Sequence, residues 1–89
     1  MKITEKEFDV LNAIVMSDYN SSCEATPNYP IWMWDVSDNT YGGKTFSGLV
    51  SRLTEKGLVG THIEKKKDDS IIWATELGIE IYNEYNKNK

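Results

Sequence analysis

Gly42-Gly43-Lys44-Thr45 ends as a phosphate-cradling loop ends, with a lysine placed for phosphoryl oxygens and a hydroxyl placed for Mg2+. That loop also needs a glycine five residues before its second glycine, and Asp38 and Asn39 occupy the region, so nucleotide binding is rejected. Metal and nucleophilic chemistry find no better support. His62 is the one histidine, and no Cys, Asp or Glu stands beside it at a metal-ligand spacing. Cys23 has no neighbouring base to activate it, so it reads as an ordinary thiol. Asp68 and Asp69 fall in a polar turn, where local hydrogen bonding favours Asp. Glu76, Glu80 and Glu84 make an i, i+4, i+8 ridge, either a solvated helix face or a surface for a basic partner. No catalytic, cofactor-binding or metal-binding residue is assigned, and an enzyme is not expected.

The cations carry a different chemistry. A net charge of −4 argues against a nucleic-acid ligand, whose affinity rests on neutralising phosphates. The distribution reverses the argument: residues 1–43 carry −5, residues 44–67 carry +4, and residues 68–89 carry −3. The basic segment holds Lys44, Arg52, Lys56, Lys65, Lys66 and Lys67. The lysine triplet is either a phosphate-binding patch or a solvated hairpin turn. Arg52 has a planar fork that can hold two acceptors of guanine at once, or it pairs with Glu55 on its own helix.

The elements that must position these residues follow from periodicity. Thr4 and Glu7 form a capping box that opens a helix running to about Asp18, with Phe8, Leu11, Ile14 and Val15 on one apolar face. Residues 19–29 are a polar, turn-rich loop. Pro30 to Asp38 is expected as a short helix, since Pro suits a first helical position, although Trp32, Trp34 and Val36 would share a face on a strand. One of the two tryptophans is expected in the core, with the other over the loop or partly exposed as an anchor for a protein partner. Tyr41-Gly42-Gly43 is a reversal that uses the positive φ available to glycine. Lys44 to Lys56 is a helix burying Phe46, Leu49, Val50 and Leu53, which leaves Lys44, Thr45, Ser47, Gly48, Ser51, Arg52, Glu55 and Lys56 on the other faces. Leu58 to Ala74 reads as a β-hairpin around Lys65-Lys66-Lys67-Asp68-Asp69. Thr75 to Asn86 is a last helix, burying Leu77 or Ile79 with Ile81, Tyr82 and Tyr85, and residues 86–89 should fray.

Leu49-Val50-x-x-Leu53, Lys56-Gly57-Leu58-Val59, a charged turn, and Ala74-Thr75-Glu76-Leu77-Gly78 closely resemble the winged helix-turn-helix domains of MarR-type transcriptional regulators, from about Pro30 to Tyr85. The resemblance implies an α+β fold, a three-helix core with a β-hairpin wing and a C-terminal helix. It implies double-stranded DNA as partner, with Lys44, Thr45, Ser47 and Gly48 at bases or phosphates, Ser51 and Arg52 further along the groove, and Lys65, Lys66 and Lys67 on the wing. Two departures are visible. Family members have a shorter link where residues 19–29 stand, and full-length relatives carry further helices at both ends that build a dimer and a ligand pocket. The expectation is thus a DNA-reading module without its sensor, of the kind found in small plasmid, phage or stand-alone bacterial regulators, with a homodimer open. The competing expectation is a winged-helix protein-interaction module using Trp32 and Trp34 or the Glu76, Glu80 and Glu84 ridge, because one fold serves both roles.

Eighty-nine residues make one domain, 1–89, and a domain this small buries only about 60% of its unfolded surface. A single cysteine excludes an internal disulfide, and no charged-then-apolar leader or long apolar run is present, so a cytoplasmic protein without a membrane segment is expected.

Overall fold

The computed structural model describes residues 2–17, 28–65 and 69–87. Helix α1 (Glu5–Val15) begins at the capping box: the Glu7 amide donates to Thr4 Oγ1 at 3.1 Å and the Thr4 amide donates to Glu7 Oε1 at 2.9 Å. It ends before the expected Asp18, at a Met16 cap whose amide still reaches the Asn12 carbonyl. Its buried side holds Phe8, Leu11, Ile14 and Val15 as expected, with Val10 beside them.

The segment expected as one short helix divides in two. Residues Ile31–Trp32 form strand β1, and Met33–Asp38 form helix α2. Pairing decides this. Ile31 lies opposite Ile72 and is almost wholly buried, and the Met33 amide donates to the Ser70 carbonyl at 3.0 Å, so the strand ladder takes the first residues. Pro30 is tolerated because it stands just before the strand. Trp32 is half-buried and Trp34 is 37% exposed, so neither tryptophan belongs to the closed core.

Helix α3 (Gly43–Glu55) follows Gly42 and Gly43 at φ 62° and 56°, the left-handed values expected of that turn. Phe46, Leu49 and Leu53 are buried, while Val50 only packs against the core edge. The helix stops in a Schellman turn: Gly57, at φ 75°, donates to the Thr54 carbonyl at 3.0 Å, and Leu58 donates to the Leu53 carbonyl at 2.9 Å. Strands β2 (Val59–His62) and β3 (Ile71–Ala74) pair antiparallel with Val59 opposite Ala74, and the sheet order is β1-β3-β2. Helix α4 (Glu76–Lys87) buries Ile81 and Tyr82, half-buries Ile79 and leaves Leu77 39% exposed. It continues through Lys87, past the expected start of fraying at Asn86.

Helix α1 is central, packing on α2, α3, α4 and β3. Phe8 stacks on Tyr82 and Tyr85 at centroid distances of 5.2 and 4.4 Å. Among the described residues, four helices and a three-stranded antiparallel sheet thus share one core, an α+β architecture.

A polar contact ties the start of α1 to the end of α3. Glu7 is 1% exposed, and Lys56 Nζ donates to its Oε2 at 2.8 Å and its Oε1 at 3.0 Å. Burial pushes the Glu7 carboxyl up, but the hydrogen bonds from Lys56 and Thr4 outweigh it and hold the group below its ordinary value of 4.5.

Two outcomes follow from this packing. Leu53→Ala should lose about 2–5 kcal/mol, measured by urea denaturation, because Leu53 is fully buried and a small domain has little reserve. Lys56→Met should cost about 1–3 kcal/mol near neutrality by leaving the carboxylate unpartnered. A depressed folded pKa contributes stability above the unfolded value and loses it as pH falls through the folded value. The difference between wild type and Lys56→Met should therefore be largest near pH 7 and shrink below about pH 4.5. A constant difference across that range would remove Glu7 as its source.

Candidate functional site

The outward face of α3 is built by the same periodicity that builds the core. With Phe46, Leu49 and Leu53 turned inward, Lys44, Thr45, Ser47, Gly48, Ser51 and Arg52 are all exposed. Two adjacent rows run along the helix, Lys44-Ser47-Ser51 and Thr45-Gly48-Arg52, at spacings of three and four. Between the terminal cations only hydroxyls and a glycine protrude. A Cβ added at Gly48 would meet nothing within 4 Å, so the middle of the face is flat and open.

Neither Lys44 nor Arg52 makes an ion pair or side-chain hydrogen bond among the described residues. The internal pair between Arg52 and Glu55 is not formed among them. Lys56, by contrast, is not part of this face: its ammonium turns to Glu7 and, at 3.4 Å, to the Lys2 carbonyl. Lys65 is exposed on the segment after β2. Lys66 and Lys67 lie outside the described residues, as do Cys23, Asp68 and residues 19–27 of the expected loop.

Beside the first turn of α3 lies an open groove of about 590 Å3. Its walls are Met33 and Trp34 from α2 and Ile63 from the chain after β2, Phe46 is its floor, and Lys44 and Ser47 form the rim shared with the α3 face. Sequence reasoning flagged Trp34 but not the groove. Ile63, 67% exposed, interrupts a polar run at the end of β2, and that misplaced apolar residue is the one sequence-level sign of it. Nearby, His62 Nε2 sits 2.6 Å from Glu64 Oε1, an exposed pair.

A second groove has a different character. A polar groove of about 490 Å3 runs between α1 and the α2–α3 turn, lined by Asp9, Asn12, Ser17 and Tyr41 among others. The Tyr41 hydroxyl donates to Asp9 Oδ2, which raises the tyrosine pKa, and Lys6 Nζ stands 5.8 Å over its ring. On α4, Glu76, Glu80 and Glu84 are exposed as a ridge. No group of three metal-ligating side chains occurs among the described residues, and no helix among them is long and apolar enough to cross a membrane. Comparison with family models, curated proteins and solved structures finds no match to this chain.

Gly48 gives a test that separates stability from surface use. A mid-helix glycine with open space around it is a local weakness, so Gly48→Ala should raise stability by about 0.5–1 kcal/mol in chemical denaturation. A loss of stability would mean that the α3 face is covered rather than open.

Proposed function

We propose that the chain is a winged helix-turn-helix domain that binds double-stranded DNA through α3 and the β2–β3 hairpin, as a small cytoplasmic transcriptional regulator without enzymatic activity. The observation that carries this reading is the pair of exposed cations on α3 that engage no partner among the described residues. Lys44 and Arg52 are eight residues apart, about 12 Å along the axis at 1.5 Å per residue. That span matches the roughly 12 Å width of the B-DNA major groove. The small side chains between them let the helix backbone approach base edges closely. Lysine at the N-terminal end meets phosphate, Arg52 offers a bidentate fork to guanine, and the exposed Lys65, followed in sequence by Lys66 and Lys67, adds positive charge after β2.

Element order supports the same reading. Helix α3 passes through Lys56-Gly57-Leu58-Val59 into β2, and Thr75-Glu76-Leu77-Gly78 starts α4 after β3, the order of the MarR-type domains that the sequence resembles. The competing reading, a winged-helix protein-interaction module without DNA binding, draws on the net charge of −4 and the 37% exposure of Trp34. The −4 does not decide between them, because affinity for DNA depends on the local field and not on the whole-chain sum.

Titration against an in vitro selected duplex and its scrambled counterpart at fixed salt separates the two. Wild type should bind the selected duplex more tightly, and its affinity should fall with added salt. Arg52→Ala should lose about 1–3 kcal/mol for the selected site, little for the scrambled one, and keep its thermal melt. Negligible binding of wild type to both duplexes would sink the DNA reading and leave the protein-interaction module.

A further inference from the structure

We infer that the groove beside α3 receives an unstacked nucleobase, so that the protein prefers a duplex carrying an unpaired nucleotide to a fully paired one. The inference rests on the proposed DNA reading for the strand that crosses Lys44, and it adds a second mode of contact to the same site. Lys44 and Ser47 belong to both surfaces: they end the α3 face and they rim the groove. A phosphate held at Lys44 therefore places its own nucleotide at the groove mouth. What waits there is apolar, with Trp34 and Met33 on one wall, Ile63 on the other and Phe46 beneath.

Charge complementarity selects the occupant. Among the described residues that line the groove, Lys44 is the one that carries a charge. A nucleotide supplies both halves of the match, a negative phosphate for the rim and a π face for the indole. A paired base cannot do so, because both of its faces are stacked within the duplex. The groove, at about 590 Å3, is large enough in volume for a base. Aromatic stacking of this kind tolerates any base, so the contact adds affinity for unpaired structure rather than for a sequence. An acidic peptide with an aromatic side chain would satisfy the same lining, but only the nucleotide also accounts for a rim shared with the proposed DNA face.

The test uses the full chain and three probes: a blunt selected duplex, that duplex with an unpaired terminal dinucleotide containing 2-aminopurine, and the extension strand alone. Wild type should bind the extended duplex about tenfold more tightly than the blunt one, the order expected of one stacked base, and should quench the 2-aminopurine. Trp34→Ala should bring the two duplexes to equal affinity, and Trp34→Phe should keep most of the preference. Ile63→Asp, at a 67% exposed position that the fold does not need, should also abolish the preference by placing a negative charge on the groove wall.

Equal wild-type affinity for both duplexes would overturn the groove assignment while leaving duplex reading intact, as would a preference that survives both Trp34→Ala and Ile63→Asp. Trp34-dependent quenching by the single strand with no duplex binding would support the groove and overturn duplex reading. Trp34-dependent binding of an Asp-Asp-Phe-Asp-Asp peptide, with no quenching by any oligonucleotide, would overturn the inference in favour of a protein partner.

Discussion

The contact between Glu7 and Lys56 sets the frame for everything else in this fold. It joins the first turn of α1 to the cap of α3, residues 49 apart in sequence, inside a region where Glu7 has almost no access to water. A buried carboxylate is tolerated only when its oxygens are satisfied, and here one accepts from the Thr4 amide and Lys56 while the other accepts from Lys56. The same residue thus caps one helix and anchors another. By fixing how α3 lies on α1, the contact fixes which side of α3 faces out. It also engages one of the basic segment's cations, leaving Lys44 and Arg52 as the exposed cations of α3, with Glu55 exposed in its last turn.

A second junction holds the hairpin to that frame. The Schellman turn delivers Leu58 into the core, and α4 starts directly against it: the Thr75 amide donates to the Leu58 carbonyl at 3.0 Å, and Thr75 Oγ1 donates to the Gly57 carbonyl at 2.7 Å. Gly78 lies so close that a Cβ there would come within 2.0 Å of the Leu58 carbonyl oxygen. Glycine at 57 is required by backbone conformation and glycine at 78 by space. The Lys-Gly-Leu-Val and Thr-x-x-Gly patterns are therefore two sides of one contact, which is why both were visible in the sequence.

Local chemistry made much of the architecture readable. The capping box, the glycine turn before α3, the buried stripe of Phe46, Leu49 and Leu53, and the β2–β3 hairpin each follow from residues close together in the chain. What sequence could not supply was long-range pairing. Strand β1 exists because Ile31 and Trp32 find Ile72 and Ile71, some forty residues away, and that pairing overrides the helix expected from Pro30 onward. Lys56 looked like a free surface cation because its partner stands at the other end of the chain's core. The groove escaped notice for the same reason, since its lining comes from α2, α3 and the segment after β2, which only the fold brings together.

The charge distribution acquires a physical sense on this architecture. Among the described residues, α4 presents the exposed Glu76, Glu80 and Glu84, and Asp9 lines the groove on α1, while Lys44 and Arg52 are exposed on α3 and Lys65 after β2; the DNA reading proposed above assigns the polyanion to those three cations. Backbone amide shift mapping by NMR during titration with a selected duplex tests that placement most directly. The account predicts shifts concentrated at residues 43–52 and 62–65, with Glu76, Glu80 and Glu84 unmoved; shifts centred on α4, or none at saturating duplex, would contradict it.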